Sequence, residues 1–144
     1  KIQNIKHRIE IIEKTIFFFT NAENNLKNRF ITPIYSSYTT YIQDFDSILK
    51  KGTSMDFNLN ISFDIQGELK SYQHLSQGLL SILEVSLRFA LIDNMYKKEK
   101  PSIILDDPFV YLDKDNLQIA KKVLQNLAKQ NQIIYFCCHE SRKI

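Results

Sequence analysis

The sequence predicts an α/β protein: a long amino-terminal helix, a small antiparallel β element and a parallel strand–helix–strand unit. Three observations support this class. Apolar residues recur at helical spacing from Ile2 to Phe30, and then at every second position from Met55 to Ile65. Near the end, two short apolar runs flank an amphipathic stretch long enough to be the crossover helix of a βαβ unit.

The amino-terminal repeat is typical of a coiled coil. One seam collects apolar residues at gaps that alternate between three and four, namely Ile2, Ile5, Ile9, Ile12, Ile16 and Phe19, and the same frame continues through Glu23 to Leu26 and Phe30. A strict 3.5-residue repeat favours a coiled coil over the alternative, an amphipathic helix packed on its own globule. We therefore expect residues 1–30 to be the end of a coiled-coil arm and residues 31–144 to form a globular lobe.

A second helix is expected after Thr32, which has the chemistry of an N-cap and is followed by Pro33 at the first helical position. Its tyrosines recur at helical spacing, which favours core packing over stacking on nucleic-acid bases. Lys50-Lys51-Gly52 is the predicted stop. The alternation from Met55 to Ile65 then predicts a single half-buried strand, which turns at Gln66-Gly67 and returns over residues 69–72.

The next helix is apolar on most of its surface and begins at Leu75-Ser76-Gln77-Gly78. Ser76 is a good N-cap, and Gly78 leaves a backbone amide exposed in the first turn. A helix start of this kind can bind an anion, because its free N–H groups and its positive dipole end point outward. The alternative is a plain capped helix.

The run from Pro101 to Pro108 is a short apolar segment that ends in Asp106 and Asp107. It predicts a strand buried on both faces, with two carboxylates at the edge where parallel sheets bind ligands. Such carboxylates commonly hold magnesium beside phosphates. A helix over residues 116–130 and a buried strand over residues 132–138 follow, so His139 is expected at the same edge.

Composition excludes several classes of protein. The net charge of +3 is too small to indicate nucleic-acid binding by itself. No apolar run approaches the ~20 residues of a membrane span, and the adjacent Cys137 and Cys138 suggest reduced thiols in a cytoplasmic protein. None of the three glycines belongs to a G-x-x-x-x-G-K loop. The chain does not begin with methionine, so we expect it to be an excerpt of a longer protein.

Four elements stand in a fixed order: L-S-x-G opening a buried helix, a strand ending in Asp-Asp-Pro, a loop ending in Leu-Asp, and a strand ending in histidine. In this order they resemble the carboxy-terminal lobe of an ABC-type ATPase head, a half of the P-loop NTPase fold. The preceding heptads make the chain most similar to the SMC, SbcC and RecN-like branch. The phrases L-D-D-P-F-V and I-I-Y-F-C-C-H look most like the bacterial YhaN-type large ATPases.

The resemblance implies roles for the residues at the sheet edge. Asp106 matches the Walker B aspartate, which holds Mg²⁺. Asp107 occupies the position of the general base that orients the attacking water. His139 matches the switch histidine that senses the γ-phosphate.

It also implies roles for residues that face a second head. Leu75, Ser76 and Gly78 match the signature motif, which caps the γ-phosphate of a nucleotide bound to the other head. Asp113 matches the D-loop that crosses the interface between the heads. The chain departs from the pattern at Gln77 and Leu79, and at Asp107, which is one methylene shorter than the usual glutamate. The shorter base predicts slow hydrolysis.

These matches imply ATP and Mg²⁺ as ligands, and an amino-terminal ATPase lobe of the same protein that supplies the phosphate-binding loop. They also imply an ATP-dependent homodimer of heads that acts in DNA repair, maintenance or defence, with DNA and a nuclease subunit as partners. A second hypothesis is a catalytically weak structural or regulatory dimerisation module of the same fold. A third is a transporter-type ABC subunit, against which the heptads argue.

Overall fold

The computed structural model describes residues 2–43, 45, 53–65, 68–71 and 75–143. Its elements follow the predicted order of a long helix, an antiparallel β element, a buried helix and a βαβ unit. The predicted α/β class is therefore confirmed. The predicted stop at Lys50-Lys51-Gly52 and the predicted turn at Gln66-Gly67 lie outside the described residues.

The amino-terminal part is one helical rod. Helix α1 spans Ile2–Leu26, a single π-helical turn spans Lys27–Ile31, and helix α2 spans Thr32–Ile42. No residue of α1 is buried, so its apolar seam is open along the whole helix. Ile31 is the first buried residue of the rod, and the coiled-coil arm stays a prediction. Among the described residues, no helix is both long and apolar enough to cross a membrane.

The predicted N-cap at Thr32 is wrong, because the helix does not stop there. Thr32 has helical torsion angles (φ −58°, ψ −44°), and its N–H donates to the carbonyl of Lys27, five residues earlier. Pro33 has no N–H to donate, and in an α-helix its ring crowds the carbonyl four residues back. The wider π turn directly before Pro33 adapts the helix to this residue without breaking it.

The tyrosine stripe of α2 packs in the core, as predicted. Tyr38 is fully buried, while Tyr35 and Tyr41 are partly buried against the core cluster. The Tyr35 hydroxyl donates to the backbone carbonyl of Thr53, and the Tyr41 hydroxyl donates to the carboxylate of Asp93. These contacts fix α2, which is the root of the helical rod, to the rest of the lobe.

The β element has three strands in the order β1 (Thr53–Met55), β2 (Ile61–Ile65) and β3 (Glu68–Ser71), all antiparallel. The prediction of one strand from Met55 to Ile65 is wrong, because a turn separates β1 from β2. The Asp56 carboxylate accepts hydrogen bonds from the backbone of Asn58 and Asn60, each at 2.8 Å, and Leu59 has a positive φ of 62°. Aspartate and asparagine stabilise such turns through side-chain-to-backbone bonds.

Helix α3 (Gln77–Met95) follows and packs against α2. Its buried face carries Ile82, Leu83, Val85, Ser86, Phe89 and Ala90. At its carboxyl end, the Asn94 side-chain amide donates to Ser37 Oγ at 2.9 Å and to the Pro33 carbonyl at 3.4 Å. Asp93 pairs with Lys100 at 2.9 Å as well as with Tyr41. The helix is therefore joined to the root of the rod by apolar and polar contacts.

The βαβ unit consists of β4 (Ile103–Asp106), α4 (Lys114–Leu127) and β5 (Ile133–Phe136). The strands are parallel, with Ile103 opposite Ile133 and Asp106 opposite Phe136. Helix α4 starts before the predicted Asn116 and ends before Gln130. It buries Leu117, Ala120, Leu124 and Leu127.

The prediction that β4 is buried on both faces is wrong for the described chain. Ile103 and Leu105 are buried, but the side chain between them, Ile104, is 67% exposed, and on β5 Phe136 is 56% exposed. Apolar side chains occupy both faces of β4, as a doubly covered strand requires. In the described residues only one of these faces is covered.

Candidate functional site

Two carboxylates and a histidine come together at the carboxyl ends of β4 and β5. Asp106 is the last residue of β4, and Asp107 follows it. The Asp107 N–H donates to the Phe136 carbonyl at 2.9 Å, which extends the pairing of the strands to this edge. His139 lies three residues beyond Phe136, at the start of a 3₁₀ turn over Glu140–Arg142. The parallel register thus brings all three residues to one edge, as expected from their positions after apolar runs.

Asp106 and Asp107 have opposite surroundings. The side chain of Asp106 is exposed and has no hydrogen-bond or ion-pair partner among the described residues. The side chain of Asp107 is only 10% exposed and forms an ion pair with Arg142 at 2.7 Å. Arg142 is the main cause of the lowered pKa of Asp107, and the backbone N–H of Cys138, at 3.3 Å, contributes to it. Asp107 is therefore held ionised, whereas Asp106 is free to bind a ligand.

The backbone at Asp107 explains why its side chain turns inward. Its φ is +40°, a conformation that residues other than glycine adopt infrequently. The side chain therefore leaves the alternation of β4 and reaches Arg142 in the turn that follows His139. The contact depends on the positive φ of Asp107 and on an arginine thirty-five residues later in the chain. No local sequence pattern indicates either feature.

A magnesium site fits this edge only at Asp106. No group of three or more His, Cys, Asp or Glu side chains lies within metal-binding reach in the described part of the chain. Magnesium beside nucleotides usually takes one or two protein carboxylates and completes its octahedron with phosphate oxygens and water. A single exposed aspartate is compatible with this pattern, whereas Asp107 already has a cation as its partner.

The signature-like segment begins helix α3. Ser76 has extended torsion angles, and its Oγ accepts a hydrogen bond from the Leu79 N–H at 3.3 Å, so the predicted N-cap is observed. Its hydroxyl proton is still available for a second partner. Leu75 is half-buried and packs against the core. Gly78 lies so close to the following loop that a Cβ atom at this position would be 2.7 Å from the Tyr111 carbonyl oxygen.

The loop before α4 ends at Asp113, which caps that helix. Its carboxylate accepts hydrogen bonds from the backbone N–H of Asn116 at 2.8 Å and from the Asn116 side chain at 3.1 Å. These bonds lower the pKa of Asp113. The start of α3 and the start of α4 share a small pocket of about 130 Å³, lined by Ser76, Gly78, Leu79, Tyr111, Leu112, Asp113 and Asn116. Residues matched to two separate motifs are therefore neighbours.

We expect Gly78→Ala to lower the free energy of unfolding by about 1 kcal/mol. Overpacking costs about 1–3 kcal/mol, and here the crowded atom is a backbone carbonyl that cannot rotate away. Alanine recovers at most ~1 kcal/mol of helix propensity. Urea denaturation followed by circular dichroism measures the difference. The matched control is Gln77→Ala, an exposed site in the same turn, which should not destabilise the protein. Equal stability of Gly78→Ala and the parent would contradict the close approach.

Comparisons with solved structures identify the fold. The chain superposes on an Smc head bound to the C-winged helix domain of ScpA with a TM-score of 0.64, at 16% identity over 85% of the chain and 39% of that structure. A Pyrococcus furiosus Smc head with an extended coiled coil gives 0.61, at 16% identity over 90% of the chain and 35% of that structure. A structure from work on ATP-driven dimerisation of SMC ATPases gives 0.62, at 17% identity over 82% of the chain and 74% of that structure.

The chain therefore has the fold of the carboxy-terminal lobe of an SMC-like ATPase head. At these identities the structures establish the fold alone. The chain is also 37% identical over 78 residues to the uncharacterized protein YhaN of Bacillus subtilis strain 168. This match covers 54% of the chain and 8% of YhaN. No protein-family model matches the chain.

Proposed function

We propose that this chain is the carboxy-terminal half of an ATPase head that hydrolyses ATP between two dimerised heads. The observation that carries this proposal is the meeting of Asp106, Asp107 and His139 at one sheet edge, within an SMC-like fold. Phosphoryl transfer needs mainly positioning and electrostatic stabilisation, which carboxylates, an imidazole and helix amino termini supply. The lysine and the loop that cradle the phosphates come from an amino-terminal lobe of the same protein.

Each residue at the sheet edge has its own role in the proposed reaction. Asp106 holds Mg²⁺, which when bound neutralises charge on the phosphate oxygens. Asp107 orients the attacking water, and the exposed His139 contacts the γ-phosphate. Across the interface, the Ser76 hydroxyl proton and the free N–H groups at the start of α3 face the γ-phosphate held by the second head. Asp113 lies beside them, at the end of the loop that crosses between the heads.

The biological setting follows from the fold and the arm. One of the similar structures comes from work on ATP-driven dimerisation and DNA-stimulated activation of SMC ATPases, and others contain ScpA. By analogy, we propose that ATP clamps two heads together and that hydrolysis releases them. The arm relays this change to DNA, or to a nuclease subunit, in repair, maintenance or defence. The open apolar seam of α1 is the surface that pairs with the second helix of the coiled-coil arm.

Steady-state ATP hydrolysis by the full-length protein tests this function. We expect Asp107→Asn to lower turnover about a hundredfold, the lower end of the range for general acid–base catalysis, because a neutral amide cannot act as a base. We expect Ser76→Arg to abolish ATP-dependent dimerisation in size-exclusion chromatography, because a long cation then fills the pocket at the start of α3. If Asp107→Asn turns over ATP at the parental rate and Ser76→Arg still dimerises with ATP, the enzymatic function is wrong.

A structural or regulatory dimerisation module is the second candidate. The specific observation in its favour is the ion pair between Asp107 and Arg142, which occupies the carboxylate that hydrolysis requires. If the chain is such a module, the parent protein dimerises with ATP and Ser76→Arg prevents this dimerisation. Neither the parent nor any variant then hydrolyses ATP faster than the Asp107→Asn protein.

A further inference from the structure

The ion pair between Asp107 and Arg142 differs from its neighbours in burial. Its side chains are 10% and 15% exposed, and the atoms that meet, Asp107 Oδ2 and an Arg142 terminal nitrogen, are 2.7 Å apart. One residue further on, Lys143 pairs with Glu140 at a similar 2.8 Å, but those side chains are 66% and 91% exposed. Exposed pairs contribute little, whereas an enclosed and hydrogen-bonded pair can control where a side chain lies.

This pair keeps the carboxylate of Asp107 away from solvent. Oδ2 accepts from Arg142 and from the Cys138 N–H, and Oδ1 is buried without a hydrogen-bond partner among the described residues. A general base must come within hydrogen-bond reach of the water that it activates. In the arrangement observed here, neither oxygen of Asp107 presents itself to a substrate, whereas the adjacent Asp106 is exposed.

Buried polar atoms without hydrogen-bond partners among the described residues surround the pair. Arg142 Nε and the Tyr135 hydroxyl are also buried, and neither has a hydrogen-bond partner within the described ranges. The negative charge of Asp107 contributes to a raised pKa of Tyr135, after burial, so the phenol lies within reach of its field. A fully satisfied polar network rigidifies a core, but these atoms leave hydrogen-bonding capacity unused. Asp107 is held by the Arg142 contact at 2.7 Å and by a longer hydrogen bond from the Cys138 N–H at 3.3 Å, so loss of Arg142 removes the shorter and charged of its two partners.

We propose that Arg142 is an autoinhibitory latch, which withholds Asp107 from the nucleotide until the turn at Glu140–Arg142 moves. The turn is connected to the γ-phosphate sensor, because the Arg142 N–H donates to the His139 carbonyl at 3.0 Å. A movement of His139 toward nucleotide pulls on the same turn and withdraws the guanidinium from Asp107. This inference rests on the proposed roles of Asp107 as the base and of His139 as the γ-phosphate contact, and it adds the control of the base.

The test is steady-state ATP hydrolysis by the full-length protein carrying Arg142→Met. Loss of the latch should raise kcat at least threefold and leave KM for ATP within twofold of the parent, because Arg142 restrains the base and does not bind nucleotide. Arg142→Lys keeps the cation and should give a smaller rise. Lys143→Met is the matched control, since it removes a neighbouring cation from an exposed pair, and should keep the parental rate. Arg142→Met combined with Asp107→Asn should be as slow as Asp107→Asn alone.

Each other result overturns the latch in a distinguishable way. If kcat of Arg142→Met is equal to or lower than the parental value while Asp107→Asn is slow, Arg142 supports the base or is only structural, and the proposed function stands. If Asp107→Asn hydrolyses ATP at the parental rate, the assigned base is wrong and the latch falls with it. If neither Arg142→Met nor Arg142→Gln folds, as judged by thermal denaturation, the pair is a structural element and not a latch.

Discussion

Replacing Tyr38 by alanine is expected to lower the free energy of unfolding by about 3–5 kcal/mol, the range measured for large aromatic side chains in protein cores. Tyr38 lies on α2, which packs against α3, and it is the largest of the fully buried side chains among the described residues. Its removal opens a cavity in the core cluster to which α2 and α3 both contribute. Urea denaturation followed by far-ultraviolet circular dichroism measures the loss.

Tyr38→Phe separates packing from hydrogen bonding at the same position. The Tyr38 hydroxyl is buried and has no hydrogen-bond partner among the described residues, and burial is the main cause of its raised pKa. Removal of an unpaired buried polar group is close to neutral or stabilising, so Tyr38→Phe should change the stability by less than about 1 kcal/mol. A loss as large as that of Tyr38→Ala would show that the hydroxyl carries the contact and would contradict the packing argument.

Periodicity predicted the elements, but it failed where one local signal has two structural meanings. Thr32-Pro33 is a good helix start, yet the helix already present continues through it by means of a π turn. Asn58 and Asn60 fit the polar face of an alternating strand, yet they also bond the Asp56 carboxylate in a turn. At Thr32-Pro33 the preceding helix decides the outcome, whereas at Asp56 local side-chain bonds to the backbone compete with strand pairing.

The exposed face of β4 has a different cause. The sequence of Ile103, Ile104 and Leu105 is apolar without alternation, which predicts burial on both sides. Only one side is covered in the described residues. The described residues therefore do not supply the second covering layer that the apolar pattern predicts.

The common location of the candidate site residues was predictable from the sequence, but the contacts that Asp107 makes there were not. Order along the chain was enough to bring Asp106, Asp107 and His139 to one edge, because parallel strands end together. The state of Asp107 depends on a positive φ and on a partner in a turn far along the chain. Neither the torsion angle nor the partner can be predicted from the spacing of residues in the sequence.

We expect Asp106→Asn to lower ATP turnover of the full-length protein at least about a hundredfold, a typical effect of removing one electrostatic group at a reaction centre. Asp106 is exposed at the sheet edge without a partner among the described residues, and Asp107 is paired with Arg142. A neutral amide cannot neutralise Mg²⁺ as a carboxylate does, so the Mg²⁺ concentration for half-maximal turnover should also rise at least tenfold. A magnesium titration of the hydrolysis rate measures both effects.

Asp115→Asn is the control for charge, because it removes one exposed carboxylate from the first turn of α4 and leaves the sheet edge intact. It should change neither the rate nor the magnesium dependence by more than about twofold, since solvent and salt screen the field of an exposed charge away from the sheet edge. A rate defect in Asp106→Asn that is independent of Mg²⁺ would assign the carboxylate to another task. An unchanged rate would mean that the metal is bound elsewhere in the head and that the edge of β4 is not the reaction centre.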